Sequence, residues 1–241
     1  ALTVALWFIP YAEVLTYPFR IFVTFIHEGG HAVAALLTGN SVHSLSVAID
    51  GSGEVYSARG GLFSQMFVSS AGYLGAMAYG TLLLVLIRRS FAARMVLVGS
   101  AGLILILTVA YGFFSPLLHA SLPSLFTLVA GAALAAALVA AARFLSARAA
   151  AFLVSFLAVQ CVLNALFDLK TVLFLSSPFA AGAQTDAANM AHATGVPAFF
   201  WAMIWIGLAF LILSLALRAY AVSRTGPRQP DLPFEDSPLE V

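Results

Sequence analysis

The sequence is short of charge, and that shortage decides its broad class. Only 9% of the 241 residues are Asp, Glu, Lys or Arg, against 62% apolar, and the mean hydropathy is +1.00, far above soluble domains. A chain with so few charges cannot clothe itself in water, so it reads as a multi-pass membrane protein in contact with the lipid bilayer. Ten of its eleven basic residues are arginine and the net charge is +1. There is thus no basic surface for a nucleic acid, which is excluded as a partner. The single cysteine, Cys161, lies in an apolar run; it permits no disulfide within the chain and reads as a packed small hydrophobe. The opening segment to Pro10 has neither a basic start nor a clear cleavage site, so it is not read as a signal peptide.

Against this background the stretch Phe19 to Asn40, FRIFVTFIHEGGHAVAALLTGN, sets two histidines and a glutamate into an otherwise apolar run. His27 and His31 are four apart, so on a helix they project from one face and can grip one metal ion, with Glu28 beside them. This is the zincin pattern: neutral imidazoles bind Zn²⁺, an open position holds water, and the glutamate takes its proton. His-Glu-x-x-His also arises by chance on water-facing helices, but here no water-facing side is offered. A carboxylate near a bilayer centre costs roughly 2.5–3.5 kcal/mol on insertion scales, which argues for a use.

The expected fold is all-α and polytopic, with about six transmembrane helices and a small β-hairpin after the metal-motif helix. Ala1 to Ala12 is barely long enough to cross a bilayer of about 30 Å, and Glu13 to Pro18 reads as a turn-like break before a helix that begins at Phe19. SVHSLSVAIDGSGEVYSARG, from Ser41 to Gly60, alternates around Asp50-Gly51-Ser52-Gly53 and reads as a hairpin, outside the lipid or lining a protein cavity. His43 within it is expected to be an exposed polar residue. The further spans are Gly61–Ile87, Met95–Phe114, Leu125–Ala142, Ala149–Leu175 and Pro197–Ala221. His119, in the loop Ser115 to Pro123, has no partner at ligand spacing. Small residues from Ser69 to Gly80 match Gly29, Gly30, Ala32, Ala34 and Ala35 on the motif helix, so these two helices should pack closely. Ala180 to Gly195 reads as a polar loop. Residues 1–221 form one transmembrane domain, and 222–241 is a Pro-rich, disordered polar tail.

Arginines at 88–94, 143–148 and 218–228 fall at alternate loops, which puts Arg20 and the C-terminal tail on the cytoplasmic side and the 41–60 hairpin on the other. The motif helix and the Ala149–Leu175 helix then run the same way. At 1.5 Å per residue, His27 to His31 lie roughly 10–18 Å beyond Arg20, and Asp168 lies somewhat further along its own helix. Asp168, deep in an apolar run and without a local cation, can therefore complete a two-histidine, one-carboxylate site.

His27-Glu28-Gly29-Gly30-His31-Ala32, Leu37-Thr38-Gly39, the hairpin, Ala71-Gly72-Tyr73-Leu74-Gly75, Asn164-Ala165-Leu166-Phe167-Asp168 and the Thr185-Asp186 to Pro197 segment together resemble the site-2 protease superfamily of intramembrane zinc metalloproteases, particularly its compact bacterial branch. The resemblance implies zinc on His27 and His31, Glu28 as general base and Asp168 as third ligand. It also implies a multi-pass protein of the bacterial inner membrane that hydrolyses transmembrane or membrane-proximal protein substrates. Relatives carry the third ligand in an Asn-Pro-x-x-x-x-Asp-Gly motif, whereas no proline lies near Asn164 and Leu169 follows the aspartate, so Asp186 stands as the substitute. The alternative is a non-catalytic protease-like subunit, a structural part of a larger complex with other membrane subunits.

Overall fold

The computed structural model describes residues 12–88, 92–176 and 184–222. All of the expected first crossing, Ala1 to Ala12, except its last residue, and the tail beyond Val222 lie outside the described residues. Among the described residues five helices are long and apolar enough to cross a membrane: Leu62–Ile87, Ala93–Leu118, Leu125–Phe144, Ala147–Leu175 and Ala198–Ala219. The motif helix α1, Ala12–Leu37, has 26 residues and so spans about 39 Å, long enough to be the sixth; its polar site residues make it the least apolar.

The chain begins α1 earlier than expected. No break occurs at Glu13 to Pro18, and Pro18 lies inside the helix. Pro18 is the seventh residue of α1 and lies past the first turn, so it forgoes one i→i−4 hydrogen bond, to the Val14 carbonyl, and the helix runs on through it.

After α1, strands β1 (Val42–Val47) and β2 (Gly53–Ser57) form a two-stranded antiparallel sheet, with Val47 opposite Gly53 and Leu45 opposite Val55. The turn falls where Asp50-Gly51-Ser52 predicts it: Gly51 has φ +85°, a conformation that suits glycine. Asp50 Oδ1 accepts from the Ser52 amide at 2.9 Å and from its hydroxyl at 2.7 Å. Of the two settings expected for the hairpin, the structure shows the second, lining a protein cavity. The hairpin does not project beyond the end of α1 but folds back along it, so the turn at Ile49–Gly51 lies beside Tyr17, Arg20 and Thr24 in the first half of the helix. Strands survive there because they line a protein cavity rather than lipid. Val42, Leu45 and Val47 face the core.

Helix α2 (Leu62–Arg88) packs against α1 and against α6 (Ala147–Leu175). The small-residue match holds, since Gly30 of α1 meets the backbone of Ala71 and Gly72 in α2. Helix α3 (Ala93–Ile106) continues through a π-helical segment, Leu107–Phe114, into the short α4, Ser115–Leu118. Leu107 reaches Gly29 of α1 and Thr108 meets Gly131 of α5 (Leu125–Phe144). Cys161 is fully buried in α6, as its apolar setting requires. His119 stacks on His43 with ring centroids 4.1 Å apart, so His43 is half-buried against a ring instead of being simply exposed.

The expected polar loop at Ala180 to Gly195 is also corrected: Asp186–Thr194 forms helix α7. Thr185 caps it by accepting from the Ala188 amide at 3.2 Å, and Gly195 ends it at φ +75°. These are ordinary start and stop residues. Helix α8, Ala198–Val222, follows and presents Phe200, Phe210 and Leu211 outward, as a lipid-facing span does.

Candidate metal centre

His27 and His31 bring their Nε2 atoms to 3.1 Å of one another. Asp186 Oδ2, delivered by the first residue of α7, lies 3.5 Å from His27 Nε2 and 3.3 Å from His31 Nε2. Donors held about 2.0–2.1 Å from a shared tetrahedral ion are roughly 3.3–3.4 Å apart, so the three separations fit one small cation. The tautomer supports this fit. His31 Nδ1 lies 2.7 Å from the Val68 carbonyl, which can only accept, so Nδ1 carries the proton and Nε2 of the neutral ring turns a lone pair inward. Two imidazoles and a carboxylate converging on one point offer acceptors that only a cation or added protons can satisfy.

Helix α2 shapes the floor. A Cβ at Gly72 would collide with Nε2 of both histidines, so the glycine leaves the space that an ion would occupy. Gly72→Ala forces both imidazoles aside, which offsets any gain in helix propensity, and should abolish metal retention. Elemental analysis beside a melting curve checks this, and a variant that keeps its metal would show the floor to be more pliable than drawn. Tyr73 adds an edge-on contact to the His27 ring at 4.6 Å.

Asp168 does not take the place expected of it. The donors that converge are His27, His31 and Asp186, while Asp168 stands in the wall of the adjoining cavity with its side chain exposed. The expectation assumed that a carboxylate deep in an apolar helix faces lipid and needs a cation. Asp168 opens into the cavity instead of facing lipid. Asn164, one turn earlier, donates to the Gln160 carbonyl at 2.8 Å. The signal for Asp186 was present in the sequence as a start at Thr185-Asp186 and a stop at Gly195, which marks a helix in what composition alone calls a loop. The α7 end is fastened to α8 through Trp201 Nε1, which donates to Thr194 Oγ1 at 3.1 Å, and α8 to α2 through Trp205 Nε1 and Ser70 Oγ at 3.0 Å.

Glu28 is buried beside the histidines, 5% exposed. Gly53, the first residue of β2, lies against it: an added Cβ would stand 2.5 Å from Glu28 Oε1 and 2.6 Å from its Cγ. The cavity above, about 2250 Å³, is lined by Glu28, both histidines, Asp186, Asp168 and the whole of β2. One edge of the sheet is closed. Thr127 Oγ1 accepts from Val47 N at 2.8 Å and donates to Val47 O at 3.1 Å, and Ser115 Oγ donates to Val42 O at 2.5 Å. Since Val47 turns its peptide groups away from β2, its partner Gly53, and Val55 two residues on, turn theirs to the other edge. Among the described residues no strand covers that edge.

A bundle of membrane-crossing helices, with a His-Glu-x-x-His helix and a distant carboxylate closing a cation-sized site, defines a protein of the membrane metalloprotease class. The chain belongs to the Peptidase M50B-like family, which it matches over residues 1–216, in keeping with the site-2 protease resemblance of its motifs. No curated protein and no solved structure matches it.

Proposed function

We propose that the protein is a zinc-dependent peptidase that hydrolyses peptide bonds within or beside the membrane. The observation that carries this reading is the spacing of the His27, His31 and Asp186 donors, with the buried Glu28 carboxylate alongside. Bound through those three donors, zinc would supply a Lewis acid that polarises a carbonyl and lowers the pKa of a water to about 7. Glu28 accepts the proton of the attacking water and passes it to the leaving amine. A carboxylate serves both steps because the bond broken releases a base stronger than itself.

The substrate proposed is a transmembrane or membrane-proximal protein segment, locally unwound. A cavity of about 2250 Å³ exceeds the roughly 300–1,000 Å³ of small-molecule sites, and an extended peptide can add to the free edge of β2 through main-chain hydrogen bonds. A presented donor set with an intact Glu28 favours catalysis over a purely structural role in a larger complex. On this reading the protein sits in a bacterial plasma membrane with its C-terminal tail in the cytoplasm.

The experiment is metal analysis joined to cleavage. Purified without chelator, the protein should carry about one zinc per chain, cleave an apolar peptide in lipid nanodiscs, and lose both properties in His31→Ala. Wild-type protein without any transition metal would refute the proposal.

A further inference from the structure

Three side chains of α1 belong neither to the metal group nor to the proton transfer. Tyr17, Arg20 and Thr24 are spaced by three and four, so they form one stripe on the helix, and each bonds to one of three successive carbonyls in the hairpin turn. The Tyr17 hydroxyl donates to Ile49 O at 2.6 Å, Arg20 Nη2 donates to Asp50 O at 2.5 Å, and Thr24 Oγ1 donates to Gly51 O at 2.8 Å. The Arg20 guanidinium also lies over the Tyr17 ring, 5.6 Å from its centroid.

We propose that Tyr17, Arg20 and Thr24 are positioning residues that set the open edge of β2 in register with Glu28. The inference rests on the peptidase reading above and adds to it the device that aligns strand and base. A two-stranded hairpin has little stability of its own, so its place must be fixed from outside. The outer edge of β1 is held by Thr127 and Ser115, whereas the turn leading into β2 is held by this stripe. Gly53 follows the last clamped carbonyl by two residues and touches Glu28. The helix that bears the base therefore also grips the strand that meets it. A slip of one residue would turn the Gly53 peptide groups away from the open edge, and a scissile carbonyl displaced by about 1 Å can cost up to roughly a hundredfold in rate.

The test uses the full chain, zinc-loaded in nanodiscs, as the double variant Tyr17→Phe with Thr24→Val, and as Arg20→Met and Arg20→Lys. The probe is a quenched fluorescent peptide that the wild type cleaves. The double variant and Arg20→Met should keep zinc and their melting midpoint and lose about tenfold or more in kcat, with KM changed by less than about threefold. Amide exchange over residues 49–55 should quicken at least about tenfold. Arg20→Lys, which still offers a donor to Asp50 O, should recover most of kcat. Variants with kcat and exchange within about twofold of wild type would overturn the proposal. So would zinc loss and melting in step with activity, which would make the stripe a structural support only. If wild type cleaves no peptide, the peptidase reading fails and the catalytic role of the clamp with it, and faster exchange in the variants would then report anchoring alone.

Discussion

Glu28→Gln is expected to lower cleavage by at least about a hundredfold while leaving zinc content and fold unchanged. The substitution keeps the shape that packs against Gly53 and removes only the capacity to take and return a proton. Glu28 is not among the converging donors, so metal binding has no cause to change. A hundredfold loss corresponds to about 2.7 kcal/mol of barrier, within the usual contribution of a placed general base. Single-turnover cleavage of an apolar peptide, run beside elemental analysis of the same preparation, reads both halves. Activity within a few-fold of wild type would remove Glu28 from the chemistry, and loss of zinc together with activity would make it a ligand.

The second large effect separates the two aspartates. Asp186→Ala should weaken zinc by at least about a hundredfold, since losing a direct ligand costs no less than the 10–100-fold seen when only a supporting partner is lost. Asp168→Ala should keep zinc within a few-fold, because its carboxylate lines the cavity apart from the converging group. Competition with a chromogenic chelator gives both affinities on one scale. The opposite ranking would return Asp168 to the metal and leave Asp186 as a neighbour.

How far the sequence could be read varied by element. His27, Glu28 and His31 were legible because helix geometry alone relates residues four apart, and the hairpin because Asp50-Gly51-Ser52-Gly53 carries turn chemistry in four consecutive positions. Close packing of α1 on α2 was legible from small residues on both. Less legible was Pro18, because a proline past the first turn argues locally for a break, yet α1 continues through it. The α7 helix was obscured by its polarity, although its caps are ordinary.

What the sequence determined by itself is therefore whatever depends on near neighbours along the chain: a membrane bundle, one histidine pair with its glutamate, and one hairpin. Only the tertiary structure decided which carboxylate stands beside the histidines, which way the hairpin runs, and that Asp168 opens into the cavity. Each of these is set by contacts between segments far apart in the chain. The apolar helix around Asp168 reads the same whichever carboxylate meets the histidines; the difference lies in α7, which places Asp186 Oδ2 3.3 Å from His31.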